Sequence, residues 1–178
     1  MQILENDHIK LRALEPEDLN FLFETENNYN FWEVSSTQKP FSKYILKQYL
    51  ENAHQDIYEA KQLRMVIVEK GSNENIGFID LFDFNPQHRR AGIGILVLEK
   101  FQNKGYAFQA IELFLKYAFE LIQLKQVFAN IPVDNHKSIS LFSKLNFTQS
   151  GIKKNWIFSE GKFKDVAFYQ LINQTHES

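Results

Sequence analysis

One stretch constrains the fold of this 178-residue chain more than any other. Arg89–Leu98 reads as a strand with two glycines, Phe108–Leu121 as a strongly apolar helix, and Gln126–Ile131 as a strand bounded by Pro132. A strand, a helix and a strand in that order form a crossover, and a crossover lays its two strands parallel. The flanking signals are antiparallel. Gln62–Lys70 and Asn75–Phe84 meet at the turn Gly71–Asn75, and Phe147–Phe158 and Lys162–Leu171 meet at Ser159-Glu160-Gly161, so each pair reads as a hairpin. The sheet must therefore be mixed.

The remaining elements complete the pattern. His8–Leu14 alternates Ile9, Leu11 and Ala13 with Lys10 and Arg12, a strand period. Pro16 opens a helix with Glu17 and Asp18 in its first turn, where the helix dipole favours acids. Ser42 is placed to cap a second helix with Ile45, Leu46, Tyr49 and Leu50 as its inner stripe. His136–Leu145 reads as a short helix. No linker or repeat interrupts the chain, so residues 1–178 are expected to form one α+β domain. Its sheet is mixed but mostly antiparallel, with about seven strands and about four flanking helices.

Composition excludes several chemistries. With no cysteine there is no disulfide, no thiol nucleophile and no cysteine-bound zinc. His8, His54, His88, His136 and His176 are scattered and form no metal-ligand spacing, so no metal is expected. There is no Gly-x-Ser-x-Gly elbow for a serine hydrolase. A net charge of −2 argues against nucleic acid as a partner. The N-terminal residues lack a signal-peptide pattern, and no apolar run approaches the roughly 20 residues that span a bilayer. A cytoplasmic protein with no membrane partner is the expectation.

Charge is unevenly placed. Residues 13–38 hold Glu15, Glu17, Asp18, Glu24, Glu26 and Glu33 with no Lys or Arg, whereas residues 100–164 hold ten lysines against Glu112, Glu120, Asp134 and Glu160. Two readings stand side by side: two unrelated solvated faces, or a cation-attracting quarter opposite an anion-attracting half.

The segment 97–107 (VLEKFQNKGYA) joins a strand to the long helix. Gly105 and Ala107 are small, the helix start offers free N–H groups, and Lys104 adds a charge, so a pyrophosphate suits this loop. The spacing is neither a P-loop nor a dinucleotide fingerprint. On the residues alone, a tight turn with no ligand remains the competing reading.

Gln102-x-x-Gly105-x-Ala107, followed downstream by Asn135-x-x-Ser138-Ile139 and Lys144-Leu145-x-Phe147, resembles the paired signatures of the GNAT N-acetyltransferase family. Gly77–Ala91 (GFIDLFDFNPQHRRA) is similar to the spermidine acetyltransferase branch, and Asn135-x-x-Ser138 to the branch that acetylates ribosomal-protein N-termini. The resemblance implies a GNAT-type fold and acetyl-CoA as cosubstrate. It implies a pyrophosphate on the main chain of Gln102, Asn103, Lys104, Gly105, Tyr106 and Ala107, and a pantetheine arm along Leu96, Val97 and Leu98. It places Asn135 on the cofactor arm. Asn130 and Lys144 are further cofactor candidates, each equally readable as a strand-end or surface residue. The amine would attack the thioester directly, with no covalent enzyme intermediate.

Two departures matter. Phe142 stands where many relatives carry a tyrosine acid, which makes Ser138, one turn earlier on the same helix face, the substitute. Gly92 stands where the spermidine branch has a glutamate. The base falls to Asp80 or Asp83, on opposite strand faces by parity, and Trp32 and Glu33 are the candidate acceptor-binding residues. The expected reaction is acetylation of a primary amine, with a polyamine or similar small cationic amine as acceptor. A protein N-terminal amine, or a CoA-binding module without turnover, is the alternative. Relatives are often dimers or larger, so a homo-oligomer is also expected.

Overall fold

The structure, a computed structural model, describes residues 3–35 and 37–175, with only the backbone of Val34; His176 lies outside the described residues. Seven strands form one sheet in the order β1-β2-β3-β4-β5-β7-β6. They are β1 (Ile9–Ala13), β2 (Leu63–Glu69), β3 (Glu74–Asn85), β4 (Arg90–Val97), β5 (Gln126–Pro132), β6 (Thr148–Ser159) and β7 (Lys162–Ile172). Every neighbouring pair is antiparallel except β4 and β5. The helices are α1 (Leu19–Glu26), α2 (Trp32–Ser35), α3 (Lys43–Glu51), α4 (Ile57–Ala60), α5 (Tyr106–Glu120) and α6 (His136–Lys144). The mixed α+β sheet and the four longer helices follow the sequence expectation. The single turns α2 and α4 were not expected, because four residues carry too little periodicity to register.

Local chemistry accounts for the element ends. Ser42 caps α3, its hydroxyl accepting from the Ile45 N–H at 3.2 Å. Pro16 opens a 3-10 turn, Pro16–Asp18, that runs into α1. Asn146 follows α6 at φ 69°, a left-handed position that asparagine tolerates better than branched residues.

Strand β2 is buried on both faces because its sides meet different helices. Met65 and Ile67 join the core under α5, with Ile111, Phe114 and Ala118. Val66 and Val68 face the other way, with Leu22 of α1, Leu46 of α3 and Phe78 of β3. The inner stripe expected for α3 is narrower than its spacing implied: Leu46 is buried, but Ile45 is 49% exposed.

Asp18 anchors α1 to the sheet. Its carboxylate is buried and accepts from Arg12 Nη1 and Nη2, both at 2.8 Å, and from the Glu15 N–H at 2.8 Å. Arg12 Nη2 also donates to the Asn75 side chain at 3.0 Å. Burial works against the charged carboxylate, but these donors together hold it below the usual range. Arg12→Ala should therefore cost about 2 kcal/mol, less than a fully buried pair because the guanidinium keeps some water. Because Asp18 has a depressed folded value, its stabilisation is complete above the unfolded carboxylate range, near ~4, and is lost as pH falls through the folded value. Urea titrations across that window should show Arg12→Ala losing stability at neutral pH and part of its acid dependence with it.

Candidate active site

The site begins where two strands part. β4 and β5 pair only at Arg90–Gln126, Ala91–Val127 and Gly92–Phe128. Beyond that, β4 stays on β3 as far as Val97, and β5 stays on β7 as far as Pro132. Peptide groups alternate sides along a strand. The Arg89 carbonyl accepts from Gln126 on the β5 side, and the Leu98 N–H donates to Ile76 on the β3 side. Both ends fix the same phase, so the peptide groups of Ile93, Ile95 and Val97 face the gap. Leu96 faces β3. Of the expected stretch Leu96, Val97 and Leu98, only Val97 turns its peptide groups to the gap, as Ile95 does; Leu96 lines the cleft but turns its peptide groups to β3, and the Leu98 N–H is bonded to Ile76. The Val97 carbonyl is itself taken by the Gln102 side chain at 2.9 Å.

Past the end of β4, the chain makes an amide-lined cup. Asn103 has φ 61° and Gly105 φ 83°, and α5 starts at the next residue with no side-chain cap. Among the described residues, none of the N–H groups of Asn103 through Phe108 finds an acceptor. Alternating left-handed turns leading into a helix N-terminus form an anion nest. The Gln102 N–H is used by the Glu99 carbonyl at 3.2 Å, so the cup is one residue further along than the motif implied. Lys104 contributes its amide, but its side chain does not line the cleft; its ammonium lies 5.8 Å from the Phe101 ring centre.

A cleft of about 800 Å³ runs from this cup along β4 to α6, lined by Leu96, Val97, Gly105, Ala107, Asn135, Ser138 and Lys144 among others. A second cavity, about 280 Å³, fills the gap itself and includes Glu33, Gly94, Ile95, Asn130, Ser138 and Phe142. A third, about 550 Å³, lies under α1 and α3 and includes Glu26, Tyr49, Arg64, Asp80 and Ile95. Ile95 lines all three. The cup, the open strand edge and two carboxylate-bearing cavities therefore converge on one residue.

A sequence model of the acetyltransferase (GNAT) domain family matches residues 8–148. The chain belongs to this acetyltransferase family. It is 30% identical over 164 residues to the spermidine N(1)-acetyltransferase of Vibrio cholerae, covering 90% of this chain and 91% of the relative. It is 28% identical over 161 residues to the Escherichia coli K12 protein of the same name, covering 89% and 82%. A crystal structure of the V. cholerae spermidine N-acetyltransferase with CoA and spermine superposes with a TM-score of 0.85 at 26% identity, covering 94% of this chain and 96% of that one. The GNAT fold is thereby shown, and the activity is acetyl transfer.

The acetyltransferase's own side chains are placed unevenly against expectation. Asn135 caps α6, accepting from the Ser138 N–H at 3.2 Å, which leaves its amide hydrogens for a ligand. The Ser138 hydroxyl has no partner among the described residues and lies on both the cleft and the gap cavity. Phe142 is buried against Phe147, ring centres 5.0 Å apart, and packs rather than donates. Asn130 lines the gap cavity, not the larger cleft, and its side-chain Oδ1 accepts from Lys153 Nζ at 2.9 Å. Asp83 sits in a β-bulge at φ 48°, exposed and off every cavity wall described here, so of the two carboxylates only Asp80 lines a cavity. Trp32 lines none of the three cavities; its indole donates to the Glu26 carbonyl at 2.9 Å and braces the segment. Glu33 does line the gap cavity, but its carboxylate is bonded to Lys164 at 2.9 Å.

Two cations were missed. Arg64 stands directly across from Asp80 in the β2–β3 register, bonds it at 2.6 Å, and also contacts Glu26. Burial pushes the Asp80 carboxyl up, and Arg64 pulls against that shift. The polar position in QLRMVIVEK was the available signal, but it points to a partner only once the strand register is known. Lys164 looked like one more surface lysine in a basic half. Its side chain is 7% exposed. Among the described residues no cluster of histidine and acidic side chains has a metal-binding arrangement.

Two outcomes follow. Gly105→Asp combines a strained left-handed position with an anion inside the amide cup, in open space where the fold itself is not clashed. Calorimetry should show CoA binding abolished while the unliganded melting temperature moves little. Ser138→Ala should lower kcat by about tenfold or more, while acetyl-CoA affinity holds. Steady-state kinetics with an unchanged kcat would remove Ser138 from the reaction.

Proposed function

We propose that this enzyme acetylates a primary amine of a polyamine or a similar small cationic amine, using acetyl-CoA. The observation that carries the reading is the convergence on Ile95. An anion cup lies at one end of an open strand edge, and carboxylate-bearing cavities lie at the other. Glu26 and Asp80 share one Arg64, and Glu33, Asp134 and Glu160 share one Lys164, so the first cluster keeps one uncompensated carboxylate and the second two. The relatives named spermidine N(1)-acetyltransferase support the same acceptor class.

Acetyl-CoA supplies the activated acetyl group, and the chain's residues do the rest. Amides 103–108 hold the diphosphate, and the Asn135 amide and the exposed peptide groups of β4 hold the arm. A gap-facing N–H at Ile95 is positioned to stabilise negative charge developing on the acyl oxygen. An alkyl ammonium near pKa ~10 must lose a proton before it can attack, by analogy with lysine. Asp80, its carboxyl raised by burial, takes that proton directly or through water. Ser138 donates a hydrogen bond to the departing sulfur, the role Phe142 cannot fill. A dodecameric structure of a V. cholerae spermidine N-acetyltransferase, 28% identical with a TM-score of 0.78, supports a homo-oligomer here too. So do the exposed Ile152, Trp156, Phe158 and Phe163 on the sheet-edge hairpin β6–β7, which a second copy would cover.

The test is a thiol-release assay with acetyl-CoA and a panel of spermidine, monoamines and N-terminal peptides. The expected result is the highest kcat/KM with a polyamine, and its loss by about 100-fold in Asp80→Asn. A peptide outperforming every small amine would move the acceptor to protein N-termini. CoA binding with no thiol released by any amine would reduce the domain to a binding module.

A further inference from the structure

The most unusual charge outside the reaction centre is Lys164. Its side chain is nearly buried, and its ammonium sits among the partly exposed Glu33 Oε1 at 2.9 Å, Asp134 Oδ2 at 2.9 Å and Glu160 Oε2 at 3.8 Å. These carboxylates come from three separate segments: α2, the turn between β5 and α6, and the β6–β7 hairpin. Glu33 also lines the gap cavity that holds Ile95 and Ser138, and so does Val166, two residues along β7 from Lys164. The chain's own alkyl ammonium is thus bonded to an acidic group of the cavity beside the reaction centre.

A lysine side chain is four methylenes ending in an ammonium. That is the chemistry of an aminobutyl arm of a polyamine. We propose that Lys164 is a specificity-determining residue: it occupies the carboxylate cluster at the edge of the gap cavity and competes there with the distal ammonium of a polycationic acceptor. This inference rests on reading the site as an amine acceptor. Three carboxylates against one ammonium leave the cluster at a formal charge of −2, so it still attracts cations but does not present Glu33 free. Without Lys164 the same three carboxylates would stand at −3. Lys164 is not itself a substrate in this arrangement. Its hydrogen bonds to Asp134 and Glu33 hold its pKa well above the ordinary lysine range, so it has no lone pair for attack.

Lys164 acts through Glu33, so the readout must be one that a purely structural ion pair would leave alone. That readout is the ratio of kcat/KM for spermidine to kcat/KM for butylamine, measured in the wild type and in Lys164→Met, Lys164→Gln and Lys164→Arg. Removing the charge should raise the ratio by about fivefold, the effect of one partly exposed ion pair, through KM for spermidine. KM for acetyl-CoA and kcat with butylamine should stay at wild-type values. Lys164→Arg should restore the wild-type ratio. The gain in Lys164→Met should shrink as salt is added. An unchanged ratio in a folded Lys164→Met or Lys164→Gln protein overturns the proposal, as does an equal rise in KM for both amines. Failure of both variants to give a cooperative melt would assign Lys164 to folding alone, and also overturns it. Absence of turnover with any amine in the wild type would instead sink the acceptor reading itself.

Discussion

A parallel strand pair that stops after three residues governs this molecule. Backbone N–H and C=O groups inside a protein must be bonded. β4 satisfies half of its groups on β3, and β5 satisfies its own on β7, but over Ile93–Val97 the facing edge of β4 has no strand beside it. The structure places that open edge against a cleft rather than covering it. The amide cup at 103–108, the unpartnered hydroxyl of Ser138 and the free amide hydrogens of Asn135 all lie along the same cleft. An extended ligand with amide groups and an anionic end meets each of these unmet bonds in turn. In this way a gap in the sheet becomes an open, polar cleft.

Electrostatics at the other end are more balanced than the charge pattern implied. Of the six acids in residues 13–38, Asp18 is bonded to Arg12, Glu26 to Arg64 and Glu33 to Lys164. Only Glu15, Glu17 and Glu24 remain as an exposed acidic surface. Lys164, counted among the cations of the opposite half, is spent on the acidic side. The segregation of acidic and basic charge is therefore local, not a property of whole segments. What survives is a net negative remainder in each cluster around the gap.

The two departures from the family pattern have packing reasons. At Gly92 a side chain has no room: an added Cβ would lie 2.3 Å from the Phe82 ring and 2.8 Å from Phe128. Those two rings meet edge-on over the glycine, 5.7 Å apart, at the point where β4 and β5 stop pairing. A glutamate there would require both to move. Phe142 likewise belongs to the α6 core contact with Phe147, so the position packs in the core.

Local periodicity fixed most of the architecture from sequence alone. Short apolar runs between turn signals located the seven strands, the crossover forced one parallel pair, and Ser42 marked a helix start through its capping hydroxyl. The paired motifs located the loop that forms the amide cup. These are short-range properties, set within a few residues of chain. The tertiary structure decided what depends on distance and phase. It chose Ile95 over Leu96 for the open edge, because peptide direction is set by neighbouring strands. It moved Asp83 off the site through a bulge, and it joined Lys164 to Glu33 across 131 positions of sequence. No local pattern encodes those, because the energy of an ion pair or a strand register depends on what the rest of the chain brings alongside.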